Sequence, residues 1–144
     1  MIDLRHEPMS PTFDKWHVGG TPFPAVFHRF TEPDLGDPHD HPFAFRSIIL
    51  HGGYIEEVYH PERGLIDVIA RPPGDSFRIE ATHIHRIVSL PGGECWTLML
   101  PERQLRTSCF WQFRDDGAYF RKWHDEEWTP YDRETVDSGE NPRG

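Results

Sequence analysis

The stretch Pro38-His39-Asp40-His41-Pro42, followed directly by the apolar run from Phe43 to Leu50, constrains this chain more than any other. Side chains alternate along extended backbone, so two histidines separated by one residue present both imidazoles on one face. That is a chelating pair. A third imidazole would close a metal site, and Thr82-His83-Ile84-His85 supplies one at the start of another apolar run. His83 and His85 share strand parity, so the residues alone leave both open as the third ligand. Imidazole is a common ligand of Zn, Fe, Ni and Cu. Three neutral imidazoles leave a divalent ion its full charge and open coordination positions, which suits a reactive centre more than a closed structural one.

What surrounds the histidines reads as short strands broken by Pro and Gly. Runs at Ala25 to Phe30, Phe43 to Leu50, Tyr54 to Tyr59, Leu65 to Ala70, Ser76 to Ile79, His85 to Leu90, Trp96 to Leu100, Ser108 to Phe113 and Tyr119 to Trp123 are separated by turn signals nearly throughout. This spacing predicts an all-β sandwich or small barrel. Gly52-Gly53 predicts a tight hairpin between its flanking strands. Residues 1–22, with Pro8, Pro11, Gly19, Gly20 and Pro22 as breakers, are expected to be irregular. The barrel is expected over residues 23–124 and an acidic, partly disordered tail over 125–144, where more than half of the excess negative charge lies.

With 144 residues the chain has the length of one domain. Its net charge of -9 argues against nucleic acid as a partner, because phosphate binding needs clustered Lys and Arg. No run approaches the roughly 20 apolar residues that span a bilayer, so no membrane partner is expected. Residues 1–10 are polar where a signal peptide is apolar, and a cytoplasmic location follows as the expectation. Cys95 and Cys109 do not make a disulfide framework and are read as reduced, buried small hydrophobes.

Parity places the histidines on this scaffold. His39 and His41 share a face with Phe43, Phe45, Ser47 and Ile49, and His85 shares one with Ile87 and Ser89, so all three are expected to point inward. At this point the sequence resembles the cupin superfamily. The first cupin motif, G-x5-H-x-H-x3,4-E-x6-G, falls in register with His39, His41, the Arg46 position and Gly53. The second, G-x5-P-x-G-x2-H-x3-N, aligns with Gly74, Glu80, Thr82, His85 and Ser89. The likeness covers roughly residues 36–89. It implies a cupin jelly-roll barrel (double-stranded β-helix), and its register favours His85 over His83. Residues depart from the pattern at the ligand Glu, replaced by Phe45 or Arg46, and at the Pro, Gly and Asn of the second motif. The missing Glu implies a three-histidine site of His39, His41 and His85, similar to that of thiol dioxygenases and other oxygen-using cupins that bind Fe(II). The stretch around His39 to Glu57 also resembles small bacterial and phage cupins of unassigned activity. Neither cysteine stands at the position of the thiol dioxygenases' crosslinked cysteine.

Other residues are candidates for substrate contact. Arg46 occupies the place of a ligand carboxylate, where a guanidinium could hold a substrate carboxylate or phosphate in a bidentate pair, although its parity is opposite to that of His41. Its alternative is an ion pair with Glu56 or Glu57. Arg29 competes for the same role. Only one of Glu56 and Glu57 can face inward; Glu57 is carried forward as the candidate catalytic carboxylate. Tyr54 and Trp96 are candidate pocket wall. His6, His17, His28, His51, His60 and His124 are read as surface or structural residues. Two function classes follow: an Fe(II)-dependent dioxygenase-type enzyme acting on a small polar or anionic molecule, or a non-redox cupin. The latter would be a Zn, Ni or Mn isomerase or lyase for a sugar-like substrate, or a binding protein without turnover. A homodimer is implied by the resemblance alone.

Overall fold

A computed structural model describes residues 1–132, and these form two facing sheets with no helix. The strands in chain order are β1 (Asp3–Ser10), β2 (Phe13–Gly19), β3 (Ala25–Phe30), β4 (Phe45–His51), β5 (Tyr54–His60), β6 (Gly64–Arg71), β7 (Ser76–Ile79), β8 (Ile84–Ser89), β9 (Cys95–Pro101), β10 (Cys109–Arg114), β11 (Gly117–Lys122) and β12 (Thr129–Pro130). One sheet has six strands in the order β1-β2-β3-β9-β4-β7. The others are β6-β5-β8 and β10-β11-β12. Pro38 to His41 joins these two into one layer. His39 exchanges backbone bonds with His85 of β8 at 2.9 and 3.0 Å. Trp111 of β10 donates its N–H to the Pro38 carbonyl, and the Asp40 N–H reaches the Cys109 carbonyl. His39 is thus paired with His85 on one side and Phe110 on the other.

Alternation along the strands sets the inner faces. In β9, Cys95, Thr97 and Met99 are buried while Trp96, Leu98 and Leu100 are partly exposed. One buried cluster gathers Ile84, Cys109, Trp111, Ala118 and Phe120, and a second gathers Ile49, Tyr54, Ile87 and Cys95. Both cysteines are buried free thiols. No helix is long and apolar enough to cross a membrane among the described residues.

Three expectations change. Residues 1–22 are not irregular: β1 pairs with β2 from Asp3 opposite Gly19 to Ser10 opposite Phe13, and β2 pairs with β3. Pro8 and Pro11 are compatible because they fall at the irregular end of an edge strand and in the turn after it. Gly52-Gly53 does not close a hairpin, since β4 and β5 lie in different sheets. Its two left-handed glycines (φ 81° and 75°) turn a corner between layers instead. A Cβ at Gly52 would collide with the Glu94 carbonyl oxygen, so the corner needs glycine for close approach as well as for φ. Finally, structure continues past residue 124: β12 pairs with β11, and Tyr131 packs against Trp111 at 5.8 Å between ring centroids. The remainder of the expected acidic tail, 133–144, lies outside the described residues.

Candidate metal centre

Three imidazoles converge where the 38–41 segment meets β8. One ring nitrogen from each of His39, His41 and His85 lies within 4.8 Å of the others. His41 Nε2 and His85 Nε2 are 3.2 Å apart, and the ring centroids of His39 and His85 are 4.9 Å apart. Burial pushes His39 down to about 3 and His41 well below its ordinary value, with the neighbouring histidines adding to both effects. Neutral imidazoles result, the form that ligates metals.

Glu56 of β5 fixes the third ring. Its side chain is wholly buried and accepts from His85 Nδ1 at 3.2 Å, His83 Nε2 at 2.7 Å and Arg71 Nε at 3.2 Å. Burial alone would raise its carboxyl, yet the bonds from His83 and His85 outweigh this and hold it well below the usual carboxylate range. An ionised carboxylate can only accept, so His85 carries a proton on Nδ1, which turns its Nε2 toward His41. Glu56, His83 and His85 also lie close enough together to hold a cation. That set is already satisfied, with the Arg71 guanidinium on the same carboxylate. The three-histidine set is not: His41 Nδ1 is buried without a partner, and the His41 and His85 Nε2 atoms meet only each other, at 3.2 Å. The donor chemistry of His39, His41 and His85 therefore fits a divalent metal ion.

A cavity of about 560 Å³ opens beside these rings, and His39, His41 and His85 line it, whereas Glu56 and His83 do not. Its apolar wall includes Phe13, Phe30, Phe43, Phe45, Ile87 and Met99. Tyr54, also in the lining, is buried, and burial together with the nearby Glu56 carboxylate keeps its phenol well above its ordinary value and protonated.

The other candidates lie elsewhere. Arg46 is exposed on the outer face of β4 and donates to Ser76 Oγ at 3.2 Å, as its parity requires. Arg29 and Trp96 are cross-strand neighbours on the outer face of the six-stranded sheet, where Arg29 pairs with Glu94 at 2.8 Å and Trp96 stacks on Trp16 at 5.1 Å. Glu57 faces away from the cluster and accepts from Arg86 at 2.7 Å and Tyr59 at 2.8 Å, so its neighbour Glu56 is the carboxylate beside the rings. His28 lines the cavity although it reads in the sequence as a surface or structural residue. Sequence reasoning also passed over Asp40 and Lys15. Asp40 accepts from Arg106 and Trp111 side chains, each at 3.0 Å, and from the Cys109 N–H at 2.7 Å. Alternation could have found it, because a residue between two inward histidines must face the other way.

No family model matches the sequence, and no curated protein matches it. Solved structures do match in shape. The Drosophila melanogaster CENP-C cupin domain is 11% identical with a TM-score of 0.55, over 69% of this chain and 76% of that one. The fold is that of a cupin. The cupin fold also relates the chain to the capsular polysaccharide assembling protein CapF of Staphylococcus aureus, at 13% identity and TM-score 0.58, over 83% of this chain and 32% of CapF. Hydroxypropylphosphonic acid epoxidase of S. wedmorenis aligns at 12% identity and TM-score 0.56, over 69% of this chain and 56% of the epoxidase, so the chain spans little more than half of that enzyme. At these identities the likeness establishes the cupin fold and nothing about chemistry.

Proposed function

We propose that this cupin is a mononuclear metalloenzyme acting on a small polar or anionic molecule, with Fe(II)-dependent oxygenase chemistry as the reading favoured first. The observation that carries it is the contrast within one constellation: His39, His41 and His85 have nitrogens aimed at one another and at a cavity, while the adjoining Glu56 network is satisfied. Bound there, a divalent ion would supply Lewis acidity and, as Fe(II), the redox chemistry of an oxygenase. The chain's own residues do the rest. Glu56 holds the His85 tautomer and ring orientation, the phenylalanine wall keeps water from the reacting atoms, and Tyr54 offers a protonated phenol at the cavity surface. Glu57 and Arg46, turned outward, have no part in this scheme. A related fold named for a phosphonic acid substrate is in keeping with a small charged ligand.

Elemental analysis of protein purified without added metal, with His39→Ala and His85→Ala alongside, tests the reading. Near-stoichiometric iron that is lost in both variants is the expected result, and would direct a screen of small acids for oxygen uptake. Zinc, nickel or manganese in its place would transfer the site to an isomerase or lyase. Absence of metal after reconstitution with Fe(II) would end the metalloenzyme reading.

A further inference from the structure

The cavity has a second polar region that the histidine cluster does not use. Lys15 of β2 and His28 of β3 stand directly opposite each other in the ladder, and both side chains line the cavity. Neither has a partner suited to its position. His28 Nε2 is shut away from solvent with no hydrogen-bond partner. Lys15 forms no ion pair among the described residues: Glu7, its neighbour on β1, bonds to His17 at 2.8 Å and acts on Lys15 only through space, and the ammonium lies over the Phe13 ring at 5.6 Å. The groups whose charge acts on His28 are Lys15 and His17, and both act in the same direction as its burial. Glu32 and Asp34 also line the cavity but are exposed, as expected of groups at its rim. The imidazole is held in place by edge-to-face packing on Phe13 at 5.2 Å and Phe30 at 5.9 Å. A rigid ring with an unused buried nitrogen, next to an unpaired ammonium, is an incomplete hydrogen-bonding site.

We infer that Lys15 and His28 form an oxyanion subsite, which binds the carboxylate or phosphate of a small molecule whose other end reaches the His39, His41 and His85 rings. The ammonium supplies charge and up to three donors, and the neutral imidazole supplies one directed N–H. Burial, aided by Lys15 and His17, pushes His28 down to about 3, so it serves as a neutral donor and not as a second cation. Burial also lowers Lys15 from 10.5, a desolvation that an incoming anion would offset. The substrate class of the proposed enzyme is then a small acid carrying one anionic group at a distance from the reacting atoms. This rests on the metalloenzyme reading only for what happens at the far end of the substrate.

The test uses the full chain without added metal, labelled with 13C-histidine, and titrates acetate, inorganic phosphate and the uncharged acetamide while following the His28 imidazole signal, assigned through His28→Phe. Acetate or phosphate should shift that signal saturably, acetamide should not, and Lys15→Met should weaken the anion by about tenfold or more. The stronger of the two anions identifies the group recognised. An equal response to acetamide, no response to either anion, or an unchanged affinity in Lys15→Met would overturn the subsite. Should Lys15→Met fold poorly, the contrast between acetate and acetamide in the unaltered chain still decides. Repeating the titration in His39→Ala separates the two proposals. An anion response in His39→Ala, which should hold no metal, upholds the subsite independently of the metal centre. Metal in the unaltered chain with no anion response overturns the subsite and leaves the metal centre standing, and an anion response in an unaltered chain that takes up no metal does the reverse.

Discussion

His39, Asp40 and His41 are consecutive, yet the two sides of this short segment obey opposite rules. On the side of Asp40 both carboxylate oxygens are engaged, by the Arg106 guanidinium, the Trp111 indole N–H and the Cys109 backbone, and of this network Arg106 Nε alone is buried without a partner. Arg106 ties the segment further by donating to the His41 and Ala81 carbonyls. On the side of the histidines, imidazole nitrogens face one another across 3.2 Å and one is buried with no partner. A buried polar group is ordinarily satisfied, because leaving it unpaired costs about 1–3 kcal/mol. The first side therefore reads as structure, and the second as a place kept for something that the polypeptide does not itself supply.

Breaking the structural side should have the largest effect. Asp40→Ala strands the buried Arg106 charge and should cost about 3–5 kcal/mol, lowering the melting temperature by on the order of 10–20 °C. A shift of only a degree or two, read by calorimetry, would mean that the network is not what anchors the segment. The functional side is next. Glu56→Gln removes the negative charge and replaces one of two accepting oxygens with a donor NH2, which cannot serve His83, His85 and Arg71 together, and should weaken metal binding by about 10–100-fold in a chelator competition. Unaltered affinity would detach Glu56 from the centre.

His28 sharpens the comparison through pH. Its folded value of about 3 lies below the ordinary 6.5, so between these two the unfolded chain holds a proton that the folded chain refuses. Stability should accordingly fall as the pH drops through that window, by up to about 1.4 kcal/mol per pH unit. His28→Phe should flatten that slope in denaturant titrations; an unchanged slope would place the acid sensitivity elsewhere. The smallest effect belongs to Arg46→Ala on the exposed outer face, which should alter stability by no more than about 0.5 kcal/mol and leave metal content as it was. Loss of metal in that variant would contradict the outward orientation of β4 at this position.

Strand parity carried a good part of this into the sequence. The rule that puts His39 and His41 on one face also puts Arg46 on the other, and it sends only one of Glu56 and Glu57 inward without saying which. That last choice depends on β8 lying beside β5, so that His83 and His85 can reach Glu56. Strands β1 and β2 escaped notice because β1 is exposed along nearly its whole length and gives no alternation to read. Two adjacent glycines are a hairpin signal locally, but Gly52 answers to the Glu94 carbonyl, more than forty residues away. Lys15 and His28 belong to no motif. Only the β2 and β3 register brings them together.

The splice at Pro38 to His41 has a consequence for how this chain can change. A slip of one residue there would turn Asp40 toward the cavity and drive both histidines into the cluster around Trp111. The Arg106, Trp111 and Cys109 bonds to Asp40 penalise that alternative heavily, so the element that stabilises the fold also proofreads the reading frame of the site. Insertions or deletions in the loop before Pro38 are then tolerable only when the chain re-enters with Asp40 on its own side, and the histidine cluster is gained or lost with the core.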